Sequence, residues 1–327
     1  MSKFTNKQIV HDYCVDKNDI PTATLARALF AHHPKLFSTM EHARKHVRRV
    51  RGLTGKKELP YKTINYKPKK EIPPSDAKEI PPYRFGPKDN KILVLSDLHF
   101  PYHNIPAIEA AVDHGLSKKV NTILLNGDVI DMHHQSKFQP DPRKRDTVEE
   151  FNKTRQFLEY LREKFPKQKI VWAEGNHDAR WPQWLSRHAL AIFNDDYFSL
   201  QARLDLKNLN IEFIPEAHLI YAGKLTITHG HKIVMGRFSN PVNPARGIYM
   251  NTKSSHLVGH YHQISEHSET NIHGDMFTCW STGCLCELRP AYAPFSSKTS
   301  HGFATIDVHE NNWFSVNNIR IKNGKIL

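Results

Sequence analysis

Five short apolar runs in this chain each end in a cluster of Asp, Asn and His residues, and this repetition constrains the fold more than any other feature. Ile92 to Leu95 runs into Ser96-Asp97-Leu98-His99, and Thr122 to Leu125 into Gly127-Asp128-Val129-Ile130-Asp131. Ile170 to Ala173 leads to Gly175-Asn176-His177-Asp178, Leu225 to Ile227 to Thr228-His229-Gly230-His231, and Leu257-Val258 to Gly259-His260-Tyr261-His262. Short apolar runs bounded by glycine and polar residues read as buried strands. Strand ends on one edge of a sheet can converge on a single site, where oxygen and imidazole donors suit hard-to-borderline divalent metals. Any one of these histidines alone reads as a satisfied loop residue. The set reads as a metal site.

The order of elements supports a sheet of this kind. From Lys91 the pattern alternates: a strand at 92–95, a helix at 105–116, a strand at 122–125, a helix at 148–165 and a strand at 170–173. Such a βαβαβ opening implies parallel strands. Beyond Ile211 the chain is strand-rich, with runs at 212–214, 219–221, 225–228, 256–258, 277–281, 303–308 and 314–319. The stretch from Pro182 to Leu209 reads as helical and is expected to cap the site.

The ordered set D-x-H, G-D-x-x-D, G-N-H-D, H-G-H and G-H-x-H resembles the calcineurin-like metallophosphoesterase superfamily, over Lys91 to Leu327. The resemblance implies an α/β fold, a four-layer αββα sandwich of two mixed sheets, and two divalent metal ions. Manganese is the favoured pair, with iron, zinc and nickel also able to accept such ligands. By resemblance, Asp97, His99 and His262 hold the first metal, Asn176, His229 and His260 the second, and Asp128 bridges them. The matching His of the family, here His177, protonates the leaving-group oxygen or stabilises its charge, with Asp131 orienting it. Asp178 and His231 stand behind these residues, in supporting or purely structural roles.

Departures from the family's patterns narrow the reading. Its protein Ser/Thr phosphatases carry Gly-Asp-x-x-Asp-Arg-Gly, whose Arg grips a monoester phosphate; here Met132, His133 and His134 follow Asp131. Arg180 either replaces that Arg in part or makes a surface ion pair. Trp181 and Trp184 read as core more than as base-stacking platforms. The basic loop from His133 to Asp146 is either a substrate contact or a solvated loop. The Gly-Asn-His-Asp form also resembles the DNA-repair nucleases of the superfamily, without their extra C-terminal DNA-binding region.

Charge is unevenly distributed. The chain of 327 residues has a formal net charge of +13, and residues 1–90 hold 19 Lys and Arg against 9 Asp and Glu, a surplus of 10 that leaves only +3 for the rest. Residues 1–57 read as three short helices, with capping boxes at Thr5/Gln8 and Ser38/Glu41. The third carries Ala43, Val47 and Val50 inward and Arg44, Lys45, Arg48, Arg49 and Arg51 outward. Six of the eight residues from Arg44 to Arg51 are Arg, Lys or His. A compact helical unit with a basic last helix resembles a helix-turn-helix module, and phosphate contact with DNA or RNA is favoured over a merely solvated face. Residues 58–90 hold seven of the 20 prolines and read as a tether. The expected domains are therefore 1–57, a linker at 58–90, and 91–327.

The four cysteines form no C-x-x-C pair and read as packed thiols, and no run is long enough to span a membrane. A reducing cytoplasm is the expected location. These readings converge on a binuclear metal-dependent phosphodiesterase acting on nucleic acid. The alternatives are a phosphatase or pyrophosphatase for small nucleotides or phosphoproteins, and a non-enzymatic nucleic-acid-binding protein on the same scaffold.

Overall fold

The computed structural model describes residues 6–15, 17, 19–53, 72, 74–136, 146–234, 242–290 and 298–327. The chain divides into two units, Met1–Ala77 and Lys78–Leu327.

The first unit contains α1 (Asn6–Cys14), α2 (Thr22–His32) and α3 (Met40–Val50). Apolar residues at helical spacing (Val10 and Cys14; Leu25 and Leu29; Ala43, Val47 and Val50) form its core with Phe37. Thr39, not Ser38, caps α3: its Oγ1 accepts the His42 N–H at 3.1 Å. Glu41 turns outward to pair with Arg44 at 3.4 Å instead of closing a capping box. The other expected box rests on Thr5, which lies outside the described residues. A second correction concerns Arg51. Its guanidinium donates to Thr22 Oγ1 at 3.0 Å and to the Lys17 carbonyl at 2.5 Å, tying the end of α3 to the start of α2. It is a structural brace, so the outward basic stripe is left with Lys45 and Arg49 exposed and Arg44 and Arg48 half-buried.

The second unit begins before residue 91. Tyr83–Arg84 forms β1, whose flanking N–H groups donate to the Leu219 and Tyr221 carbonyls, and Tyr83 Oη bonds Glu212 at 2.8 Å. The last part of the expected tether therefore belongs to the larger unit, because its aromatic residues (Tyr83, Phe85) pack against the inter-sheet core. The chain continues through β2 (Lys91–Leu95), α4 (Ile105–Ser117), β3 (Thr122–Asn126), α5 (Thr147–Lys164) and β4 (Lys169–Ala173). After α6 (Arg180–His188) and α7 (Leu200–Arg203) come β5 (Ile211–Ile214), β6 (Ile220–Ala222), β7 (Leu225–Thr228), α8 (Pro244–Thr252) and β8 (His256–Val258). The last strands are β9 (Ser265–Thr270), β10 (Met276–Ser281), β11 (His301–Val308), β12 (Phe314–Lys322) and β13 (Lys325–Ile326).

These strands form two mixed sheets, ordered β13-β12-β11-β2-β3-β4-β5 and β1-β6-β7-β8-β10-β9. β2 to β5 are mutually parallel, as the βαβαβ opening requires. The two-residue period of a strand decides which core each side chain enters. Ile92 and Val94, with Leu124 and Val171, meet Ile220, Leu225, Ile227 and Leu257 of the other sheet. Leu93 and Leu95, with Leu125 and Trp172, face outward against Ala107 and Val112 of α4 and Leu158 and Leu161 of α5. Ala245 and Ile248 of α8 cover the second sheet at Val258 and Cys279. The result is the αββα sandwich. The stretch at 182–209 departs from the expected cap, because Leu200, Leu204 and Leu206 are buried in the main core. Trp181 packs there too, its Nε1 donating to the Phe198 carbonyl at 2.7 Å, while Trp184 stacks on His188. Among the described residues no helix is long and apolar enough to cross a membrane.

Candidate metal centre

All seven expected ligands come from loops that leave strand ends, and backbone geometry decides how they face one another. Asp97, His99, Asp128, His260 and His262 have φ of 56°, 51°, 52°, 65° and 54°. This left-handed region costs a non-glycine residue about 1–3 kcal/mol, so each loop folds back sharply at an energetic expense that the site must offset. Glycines make the approach possible. A Cβ on Gly175 would collide with the Asp128 carboxylate and backbone, and one on Gly259 would lie 2.7 Å from Asp97 Oδ2.

Each of three imidazoles is anchored through Nδ1 and turns Nε2 inward. His99 Nδ1 meets Asp131 Oδ1 at 2.9 Å, and His229 Nδ1 donates to the Asn126 carbonyl at 2.8 Å. His262 Nδ1 lies 3.8 Å from Cys286 Sγ. Because a carboxylate and a carbonyl only accept, His99 and His229 carry their proton on Nδ1 and direct a lone pair inward. His99 Nε2 is 3.1 Å from His262 Nε2, which is 3.2 Å from Asp97 Oδ1. His229 Nε2 lies 3.1 Å from Asp128 Oδ2 without hydrogen-bond geometry, and Asn176 Oδ1 is buried with no partner. Two buried donor atoms without partners, His229 Nε2 and Asn176 Oδ1, beside a close-set His99, His262, Asp97 and Asp128, fit divalent cations. Without cations, burial would lower the His229 pKa, but the neighbouring Asp128 carboxylate outweighs it and holds the ring up at about 9.

The ligand atoms gather in overlapping groups: His99 and His262 with Cys286, His99 and Asp128 with His177, and Asp128 with His229 and His260. Within each of these groups the ligand atoms lie within 4.8 Å of one another. Asp97 Oδ1 adjoins the first, 3.2 Å from His262 Nε2 and 3.9 Å from His99 Nε2. Asp128 belongs to the other two. Its Oδ1 accepts the His177 N–H at 2.8 Å, while Oδ2 lies 3.1 Å from His229 Nε2 and 3.8 Å from His99 Nε2. Asp97 accepts the His260 N–H with both oxygens, at 3.1 and 2.9 Å, fixing the loop that carries two ligands.

His177 faces the space beside these groups. Its Nδ1 donates to the Asp131 backbone carbonyl at 3.0 Å, with Asp131 Oδ1 equally near, and its Nε2 is 3.9 Å from Asp128 Oδ2. Asp131 thus touches two imidazoles, His99 through its carboxylate and His177 through both carboxylate and backbone carbonyl, a double use the sequence motif does not reveal. Burial disfavours its charge, but the two imidazoles hold its pKa well below the usual carboxylate range. Arg180 enters the site: Nη1 donates to the Asp131 carbonyl at 2.8 Å and Nη2 reaches His177 Nε2 at 3.0 Å. Asp178 is fully buried and accepts N–H groups from Asp128, Val129, Ile130 and Gly175 and from the Trp172 indole. It clasps the β3 and β4 loops together, a structural role. His231 lies aside, its Nε2 2.9 Å from Glu216 Oε2. Of the expected basic loop, residues 137–145 lie outside the described residues.

One buried group escaped the sequence reading. Glu150 on α5 is 3% exposed, accepts the His133 N–H with Oε1 at 3.4 Å and leaves Oε2 without a partner. Burial, helped by the Asp131 charge, pushes its pKa from 4.5 up to about 8. The fold favours the neutral carboxyl, so its stabilising contribution is complete below the unfolded value near 4.5 and is lost as pH rises through 8. Glu150→Gln keeps an acceptor and removes the charge. Its stability gain over the wild type is expected to be about 1–2 kcal/mol larger at pH 8 than at pH 6, read from denaturant melts. Parallel pH profiles for the two proteins would contradict this account.

The family model described as Calcineurin-like phosphoesterase matches residues 90–286, more than half of the chain. Among curated proteins none matches. Solved structures with similarity include Vacuolar Protein Sorting 29 from Cryptosporidium parvum, at 17% identity over 73% of this chain and 94% of that one, with a TM-score of 0.39. The phosphoesterase Yfce from E. coli is 14% identical over 72% and 96% of the two chains, with a TM-score of 0.37. The nuclease MPE of Pseudomonas putida is 15% identical over 65% and 82%, with a TM-score of 0.30.

Proposed function

Because the chain belongs to the calcineurin-like phosphoesterase family, we propose that it is a binuclear metal-dependent phosphodiesterase that cuts nucleic acid, with its basic N-terminal unit holding the polymer. The observation that carries the hydrolytic part is Asp128 Oδ2, set between the inward Nε2 atoms of His229 and His99 at 3.1 and 3.8 Å. Two divalent ions, manganese foremost, supply charge neutralisation for the phosphate oxygens and acidify the attacking water. Asp97, His99 and His262 would hold one, Asn176, His229 and His260 the other, with Asp128 shared.

The chain's own groups do the rest. His177, once protonated, would donate from Nε2 to the leaving oxygen; in this structure that nitrogen accepts from Arg180 Nη2, while the Asp131 backbone carbonyl and carboxylate, each 3.0 Å from Nδ1, keep the ring in register. The contact from Arg180 to His177 Nε2 is released when a substrate takes that position, which frees the guanidinium for a phosphate oxygen. Polymer binding is supported by the charge surplus of residues 1–90 and by the exposed Lys45 and Arg49 on α3.

One observation favours a second reading. A guanidinium already inside the site suits a monoester, whose phosphate carries more charge than a diester, so a phosphatase for nucleotides or phosphoproteins is the rival. A metal-supplemented panel of aryl phosphate monoester, aryl diester, single-stranded DNA, duplex DNA and RNA separates the two. Diester and polymer cleavage are expected; cleavage of the monoester alone would establish the rival, and no hydrolysis of any substrate would overturn both.

The N-terminal unit has its own test. Deleting residues 1–57 removes 12 Lys and Arg and 4 Asp and Glu, a charge of +8. Affinity for DNA and RNA is expected to fall together with the slope of its salt dependence, because fewer counterions are released. A variant with Lys45, Arg48 and Arg49 replaced by Gln leaves the Arg51 brace intact and should lower the slope by about 2–3. Hydrolysis of a small diester should persist in both. Unchanged affinity and slope in titrations at several salt concentrations would remove the polymer-holding role.

A further inference from the structure

Beside the second ligand group a cavity of about 290 Å³ opens between the strand ends of the two sheets, and the metal chemistry leaves it unused. His229 and His231 form the wall it shares with the metal centre, their rings 5.4 Å apart. Its other walls are aliphatic, from Ile214, Ile220 and Ile233, and the segment from Pro215 to Leu219 forms its rim.

The polar groups lining the cavity are mostly acceptors, and two are buried without partners. The His231 Nε2–H donates to the Glu216 carboxylate at 2.9 Å, so its buried Nδ1 is a lone pair with no donor. His256 is 4% exposed; its Nε2 is engaged by Thr228 Oγ1 at 2.9 Å, and its Nδ1 has no partner. The Glu174 carboxyl, which accepts the Glu216 N–H at 3.1 Å, adds another acceptor. Buried polar groups are normally satisfied, so the His231 Nδ1 lone pair beside the Glu174 carboxyl marks a place for a ligand that brings N–H or O–H donors, and the His256 Nδ1 takes either role according to its tautomer.

The chemistry excludes a phosphate. Two glutamates line the cavity, and the cation at its edge, Lys232, is already paired with Glu216 at 3.0 Å. What fits is a neutral body with apolar faces and donors at its edge, small enough for the volume and attached to a phosphate held next door. From this juxtaposition we propose that the cavity seats the nucleoside on one side of the scissile phosphate, reading donor groups of its base and sugar. This assignment rests on the phosphodiesterase reading of the metal centre, but it can fail independently of it.

The test uses the full chain, with binding measured by calorimetry and by ligand-observed NMR. Adenosine and cytidine should bind, and purine riboside, which lacks the exocyclic amine, should bind adenosine's site about tenfold more weakly because a buried acceptor is left unpaired. Two rim substitutions, Leu219→Trp and Ala217→Trp, fill the cavity mouth from exposed positions. Each should weaken adenosine binding about tenfold and slow a dinucleotide equally, while a bis-aryl phosphate diester, which has no nucleoside, keeps its rate. Nucleoside binding without any diester hydrolysis would uphold the cavity and sink the nuclease reading. Diester hydrolysis with no nucleoside binding would do the reverse. Equal affinity for adenosine and purine riboside, adenosine binding unchanged by both rim variants, or displacement of adenosine by inorganic phosphate would each overturn the assignment.

Discussion

Asp128→Ala should fold, lose its ability to retain two metals, and hydrolyse a phosphate diester about 10³-fold more slowly or worse. The size follows from several kcal/mol of charge stabilisation at the metals, with each 1.36 kcal/mol equal to a factor of ten. Stability should fall both without and with metal, and further with it. In the metal-free protein burial disfavours the Asp128 charge, but the His229, His177 and His99 imidazoles outweigh it, so removing this carboxylate leaves buried rings without their counter-charge. The metal-free variant should therefore melt below the metal-free wild type. With metal, only the wild type gains, because a ligand that binds the folded state alone stabilises it in proportion to its occupancy. Elemental analysis, melting curves with and without chelator, and a diester assay read all three effects. A variant that keeps two metals and full activity would remove Asp128 from the centre.

His177→Ala carries the second large expected effect. It should keep its metals and its fold, and lose about 10²–10⁴-fold in rate on substrates with poor leaving groups. His177 Nε2 is 3.9 Å from Asp128 Oδ2 and pairs with Arg180, and the closer contact to Asp128, from the His177 N–H at 2.8 Å, is a backbone group that alanine retains. The loss should shrink as the leaving group becomes more acidic, since an activated aryl oxide departs without a proton. Asp131→Asn is the informative companion. It removes the charged partner of His99 while His177 keeps the backbone carbonyl of position 131, so it should lower metal affinity, which the alanine at 177 should not. An equal loss for His177→Ala across good and poor leaving groups would leave electrostatic stabilisation as its role and exclude proton transfer.

The sequence made the site legible because chemistry and strand pattern coincide there. Apolar residues of period two specify β2, β3 and β4, and the polar residues immediately after them must emerge at one edge of a parallel sheet. What stayed hidden depends on conformation or on charge balance. The left-handed turns at Asp97, His99, Asp128, His260 and His262 involve residue types with no glycine-like signature, so nothing local announces them. Asp131 serves two imidazoles 32 and 46 positions away in the chain, and Glu150 reaches the site only because α5 packs against it. β9, Ser-Glu-His-Ser-Glu-Thr, was illegible because an edge strand facing solvent needs no apolar face. Arg51 looked like the rest of its basic run, yet backbone geometry at the end of α3 turns it onto Thr22 and Lys17. The start of the larger unit was obscured by prolines around Tyr83, a residue that adds an edge strand where the pattern suggested a tether.

The central claim is that two cations, held by seven side chains with Asp128 shared between them, make this chain a hydrolase. The most direct measurement titrates manganese into metal-free protein while following hydrolysis of a bis-aryl phosphate, with bound metal counted at each point. The account predicts little activity through the first equivalent and a rise that saturates as the second is bound. Full activity at one metal per chain, or none when two are bound, would contradict it.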